Sequence, residues 1–218
     1  MKQTLTFTLL LFLALSCKQQ QKAKAKNHFD EGVVLSMQAD TLLQKGEIQE
    51  AQVTYNEAIT KFEEALLHNN EQANVESSIA FCFYQLQSFK MAEMWYKKAI
   101  DKDATLPVNH LYLGLAQVAQ DRIEEGRRSL DVALSMKDKG NTKSKMLKEL
   151  AKIAEDAFAH GKKTEDENYI DFAIGVLLTA WEYSPDAPYI RTLLKLVGTH
   201  KEDKDLQEWL REEEILTE

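Results

Sequence analysis

The feature that most constrains this chain is an interval of 34 residues. Ile79-Ala80 returns 34 residues later as Leu113-Gly114, and Ala92, Tyr96 and Ala99 return as Gly126, Leu130 and Ala133. A fixed period of this size marks stacked supersecondary units, none of which buries its apolar face alone. Within each unit the apolar residues recur at helical spacing, and no stretch keeps the alternation of a strand. Glycine and proline number 8 and 3, so few residues interrupt helices. Pro107, Pro185 and Pro188 fall at helix starts or turns, where the missing N–H is harmless. Gly46, Gly140 and Gly161 fall at expected turns. The chain therefore reads as all-α.

Residues 73–106 carry a large-small pair and an aromatic residue (Ile79, Ala80, Phe83), then Ala92, Tyr96 and Ala99. Residues 107–140 carry Leu113, Gly114, Gly126, Leu130 and Ala133, with Gln117 at the aromatic position. This pattern resembles the tetratricopeptide repeat (TPR). Small residues let two helices approach, and large ones fill the space between neighbouring hairpins. The resemblance implies a helical-hairpin solenoid over residues 29–218, of about four to five antiparallel helix pairs.

Two further repeats look stretched. Leu35, Ala39, Leu42 and Gly46 suit a first helix and its turn. Ala51-Tyr55-Ala58 and Ala58-Phe62-Ala65 double the second-helix pattern, which predicts a helix reaching about His68. Ser144–His160 and a helix bearing Ala173, Leu177 and Ala180 suit another pair, with an acidic loop near Lys162–Glu167. The last hairpin, Pro188–His200 then Asp203–Leu216, lacks the small-residue positions, and Trp209 and Leu210 suit a terminal cap.

The N-terminus carries Lys2, an apolar run from Leu5 to Leu15, and Leu13-Ala14-Leu15-Ser16-Cys17. The run is shorter than the roughly 20 residues that a membrane span needs. It resembles a bacterial lipoprotein signal peptide, with Ala14 where that family most often has Leu. The resemblance implies a cleaved signal peptide over residues 1–16 and a diacylglycerol thioether on Cys17, with acyl chains such as palmitate. Two or more chains give lasting membrane attachment, where one gives only marginal binding. Residues 17–28 then read as lipidated cysteine and flexible tether, since Lys18–Asn27 is too polar to build a core. Ten such residues, fully extended, reach about 33 Å. An uncleaved anchor helix and a soluble secreted protein are the competing readings.

Cleavage would leave 26 Lys and Arg against 35 Asp and Glu, a net charge of −9. Nucleic acid is an unsuitable partner for such a chain, because phosphate contacts need a cationic patch. Cys82 is the other cysteine. It lies in an apolar helical stretch and reads as a buried small hydrophobe. No nucleophile elbow, phosphate loop or His-Glu-x-x-His motif is present. His28, His68, His110, His160 and His200 are spaced 40 or more residues apart, mostly near expected helix ends, which suits solvated or helix-capping roles rather than a metal cluster. Neither a metal, a cofactor, a small-molecule substrate nor a catalytic activity is expected.

The family resemblance places a binding groove on the first helix of each repeat. It implies Asn74, Ser77, Phe81, Tyr84 and Gln85 in residues 73–106, and Val108, Leu111, Leu115, Val118 and Ala119 in residues 107–140. The groove candidates are Asn74, Phe81, Tyr84, Val108, Leu111, Leu115 and Val118. The basic clamp by which some family members hold a terminal carboxylate is missing, since Asn74, Ser77 and Phe81 occupy those positions. Helix 107–119 is apolar nearly all round, so groove and core are both open for it. The expected function is a non-catalytic, membrane-anchored scaffold for other envelope proteins or peptide segments, similar in plan to outer-membrane assembly lipoproteins. Lys18 after the cysteine favours the outer membrane, facing the periplasm, by analogy with lipoprotein sorting. An adaptor regulating cell-wall hydrolases is the alternative, and an envelope enzyme the second.

Overall fold

A computed structural model describes residues 2–137, 141–201 and 203–216, with side chains from residue 16 onward. The expected turn at Gly140 and the side chains of the apolar leader lie outside the described residues. Ten helices and no strand occur among the described residues. The all-α, helical-hairpin class expected from the repeat is therefore present. Contacts divide the chain into two compact units, Met1–Asp103 and Ala104–Glu218.

The first unit holds α1 (Lys2–Gln44), α2 (Ile48–His68), α3 (Val75–Gln85) and α4 (Phe89–Lys102). The doubled pattern of α2 is fully used: Ala51, Tyr55, Ala58, Phe62 and Ala65 are all buried, and the helix ends at His68 as predicted. Gly32 lets α1 cross close to α2, for a Cβ there would lie 2.6 Å from the Phe62 ring. Tyr55 donates its hydroxyl to Asp40, tying the same two helices.

The expected extended tether is instead part of α1. Lys18–Asn27 is helical throughout, and Ala25 is fully buried. The physical reason is twofold. Lys, Gln and Ala are strong helix formers, and the overlong α2 supplies a surface for α1 to follow. Gln21 Oε1 and His68 Nδ1 meet at 2.8 Å at the end of that surface.

The second unit holds α5 (Pro107–Val118), α6 (Ile123–Ser135), α7 (Thr142–Thr164), α8 (Glu167–Tyr183), α9 (Pro188–His200) and α10 (Lys204–Glu212). Pro107 and Pro188 sit in the first turns of α5 and α9, as expected. Gly114 and Gly126 bring α5 and α6 into backbone contact. Gln117, at the family's aromatic position, is buried but satisfied. Its Nε2 donates to Glu125 at 2.8 Å, and Ser129 donates to its Oε1 at 2.7 Å. A polar network thus fills the place of an aromatic ring.

Two expectations for this unit are corrected. The acidic loop near Lys162–Glu167 shrinks to Glu165 and Asp166, because α7 and α8 both extend toward each other. Gly161 is therefore not in a turn. It lies within α7, where a Cβ would be 2.9 Å from Ile170, so its role is close helix approach. The last hairpin also keeps a small residue: Gly198 receives Leu210, whose Cδ1 lies 2.2 Å from where a Cβ would stand.

One turn geometry recurs between helices. Gly46, Gln87, Asp121 and Glu165 all have positive φ, between 56° and 79°. Each is followed by a six-to-one backbone bond: Glu47 to Leu42, Ser88 to Phe83, Arg122 to Gln117, and Asp166 to Gly161, at 2.9–3.1 Å. This is the Schellman closure, which satisfies carbonyls left over at a helix end. Glu214 repeats it after α10, with Ile215 bonded to Leu210.

Candidate protein-binding surface

On α3, Ser77, Phe81 and Gln85 are spaced four residues apart and so share one face. All three are half-buried, and Asn74 before them is exposed. Asn74 holds a left-handed backbone at φ 64°, a conformation Asn tolerates better than most residues. Tyr84 lies differently. It is buried, with its ring edge-on to Phe89 at 5.6 Å, so it closes the α3–α4 hairpin. The helix is held from behind by a pair between the buried Glu76 and Lys102. A stripe of two polar groups and one aromatic ring on a fixed helix suits contact with a peptide segment.

On α5 the four candidates separate. Val108 is 43% exposed, whereas Leu111, Leu115 and Val118 are at 1% or below. Every residue from Leu111 to Val118 is buried. Helices α6 and α7 both pack on α5, and Lys145 of α7 lies 4.7 Å above the Tyr112 ring. A helix that is apolar all round is buried on all sides, and α5 follows that rule. Of the two openings left for it by the sequence, core is the one these burials match.

Cys17 is exposed on α1, one helical turn before Gln21. Cys82 is fully buried, as expected, and burial pushes its thiol up to about 12. A thiol so protonated is a weak nucleophile.

The histidines do not all stay apart. His28 and His68 stack with ring centroids 5.2 Å apart. His28 Nδ1 lies 3.0 Å from Glu64, and Lys61 lies 3.3 Å from Glu31 and 3.0 Å from Glu64. Hydrogen bonding to Glu64 and Glu31 raises the Lys61 pKa, and Lys61 lowers that of Glu64. Helical pairing of α1 with α2 brings these residues together, which their separation in sequence concealed. Even so, no group of three or more His, Cys, Asp or Glu able to hold a metal occurs among the described residues.

Sequence reasoning also missed a pocket of about 460 Å³ between α8 and α10, lined by Leu178, Trp181, Glu182, Leu206, Trp209 and Glu213. Trp209 meets Trp181 edge-on at 5.8 Å, and Arg191 lies 5.3 Å over Trp181. At the other end of α8, Lys201 lies 2.6 Å from Asp171 and 2.8 Å from Glu167, whose hydrogen bonds raise its pKa to about 12. These contacts join the end of α9 to the start of α8.

No family model matches the chain, and no curated protein matches it. Among solved structures it is similar to the OM64 TPR domain of Arabidopsis, at 22% identity over 57% of this chain and 98% of that one, with a TM-score of 0.43. It is similar to MamA at 16% identity over 84% and 87% of the two chains, with a TM-score of 0.48. It is also similar to YrrB, described as a TPR protein with an unusual peptide-binding site, at 13% identity over 82% of each chain, with a TM-score of 0.45. Likeness at this level concerns fold alone, so the helical-hairpin reading rests on the chain's own packing: Gly114 against Gly126, and Gly198 under Leu210.

Proposed function

We propose that this protein is a non-catalytic helical-repeat scaffold, held at an envelope membrane by lipid on Cys17, that binds other envelope proteins or peptide segments. What carries the reading is the position of Cys17. It is exposed, and it stands one helical turn ahead of Gln21, which meets His68 of α2. An exposed thiol is open to thioether formation, and the lipid would hold the first unit, α3 included, at the bilayer. The outer membrane, facing the periplasm, is the proposed site, by analogy with lipoprotein sorting.

The partner-contacting stripe is Asn74, Ser77, Phe81 and Gln85 of the first unit; Val108 is exposed on α5 of the second unit and stands apart from it. Tyr84 braces α3 against α4 behind the stripe, while Leu111, Leu115 and Val118 are core residues of the second unit. Peptide binding by YrrB is compatible with this use of the fold and does not by itself assign it. The buried Cys82 keeps its proton and so gives the enzyme alternative no nucleophile there.

The test has two parts on the full-length chain. Growth with a palmitate analogue should label the wild type and leave Cys17→Ser unlabelled, with the labelled form beginning at Cys17. Crosslinking in intact envelopes, followed by purification, should recover a defined partner. Recovery of an assembly-machine component supports the scaffold, and recovery of a cell-wall hydrolase supports the adaptor alternative. An unlabelled wild type that keeps residues 1–16 would sink the anchor.

A further inference from the structure

Charge is segregated along this chain. From Cys17 to Phe29 there are four lysines (Lys18, Lys22, Lys24 and Lys26) and no Asp or Glu. From Asp30 onward there are 22 Lys and Arg against 35 Asp and Glu, a net charge of −13. Such asymmetry points to an oppositely charged surface as partner.

The structure gives this basic stretch a fixed shape. Lys18, Lys22, Lys24 and Lys26 are all exposed on α1. At about 100° per residue, Lys18, Lys22 and Lys26 follow one another at four-residue spacing within about 80° of one face, and Lys24 widens the band on another side. Lys26 pairs with Asp30 at 2.5 Å, while Lys18, Lys22 and Lys24 precede every acidic residue of the chain. Ala25 is buried and Gln21 contacts His68, so the lysines are carried on a docked helix rather than a loose linker. At a rise of about 1.5 Å per residue, Gln21 stands only about 6 Å from Cys17 along the axis.

We infer that the helical collar Lys18–Lys26 is a docking surface for an anionic bilayer. The inference rests on the lipid-anchor reading, which puts the collar within a turn or two of the headgroups. Lysines so close to an anionic surface are attracted, and the attraction falls off within a Debye length. The acid-rich remainder of the chain is repelled by the same surface. Lipid and collar thus act as two signals, which is what stable and oriented attachment requires.

The test uses the processed chain, residues 17–218, carrying Cys17→Ser so that no lipid contributes. It is sedimented with phosphatidylcholine vesicles with or without phosphatidylglycerol. Binding is expected only with phosphatidylglycerol, and it should be released near 1 M salt, where the Debye length is about 3 Å. Each lysine is worth about fivefold in partitioning. Lys22→Gln with Lys24→Gln should therefore weaken binding about 25-fold, and adding Lys18→Gln about 100-fold, with helicity unchanged by circular dichroism. Equal binding to both vesicle types would overturn the inference, as would undiminished binding by the triple variant. So would a lysine-dependent dimer with no vesicle binding, which would make the acidic surface of a second copy the occupant. Palmitate labelling without vesicle binding would leave the anchor and remove the collar. Vesicle binding without labelling would do the reverse.

Discussion

Gly114 and Gly126 face each other so closely that a Cβ on Gly126 would lie 2.7 Å from the Gly114 carbonyl oxygen, and one on Gly114 would lie 2.8 Å from that of Gly126. Backbone cannot swing aside as a side chain can. Gly126→Ala should therefore force α5 and α6 apart. Overpacking costs about 1–3 kcal/mol, against about 1 kcal/mol gained in helix propensity. The net loss should lower the melting temperature by about 2–4 °C per kcal/mol lost. Thermal denaturation followed by circular dichroism reads it, and an unchanged or raised midpoint would mean the close approach is not needed.

The helix-closing turns predict the opposite sign. Gln87, Asp121 and Glu165 hold left-handed backbone that only glycine adopts without strain. Replacing each singly by Gly should stabilise the protein by about 1 kcal/mol. Gly46→Ala should cost a similar amount, although nothing lies within 4 Å of the new Cβ. Denaturant midpoints for the four variants check this, and a loss on any Gly substitution would contradict it.

Cys82 should be silent to thiol reagents while the protein is folded. Its thiol is raised from 9.0 to about 12, chiefly by burial, so the folded state keeps its proton where an unfolded chain would release it. The stabilising contribution is therefore fully present below pH 9 and is lost as pH rises toward 12. In a Cys17→Ser background, labelling by a chromogenic disulfide at pH 8 should appear only on unfolding. Rapid labelling of the native protein would refute the burial.

Leu111→Asp should unfold the second unit rather than selectively abolish partner capture. An unpaired carboxylate at a position 1% exposed belongs with changes that cost more than about 4 kcal/mol. Phe81→Ala, on the half-buried stripe of α3, should leave helicity intact and reduce crosslinking to a partner. Intact helicity in Leu111→Asp, measured by far-UV circular dichroism, would return α5 to the list of open surfaces.

How far the sequence could be read follows from what each element leaves in it. The 34-residue interval and the doubled Ala-aromatic-Ala pattern are local, and they led to the hairpins and to the end of α2 at His68. Gly161 misled because glycine serves two purposes, turning a chain and letting helices touch, and only the position of Ile170 separates them. The turns at Gln87, Asp121 and Glu165 left no glycine to find. Lys18–Asn27 read as a tether because its polarity was weighed without the surface that α2 offers to Ala25. The candidate surface was legible on α3 through spacing, but not on α5, where an apolar helix reads alike as groove or core until α6 and α7 are seen against it.

The most direct measurement of the central claim is photocrosslinking in living cells from a benzophenone amino acid at position 81. If lipid on Cys17 holds the α3 stripe against a partner, the otherwise wild-type chain should give a defined protein adduct, and Cys17→Ser should lose it while keeping its fold. An adduct of equal yield in both chains would show the anchor to be incidental. Absence of any adduct from position 81 would contradict the binding surface itself.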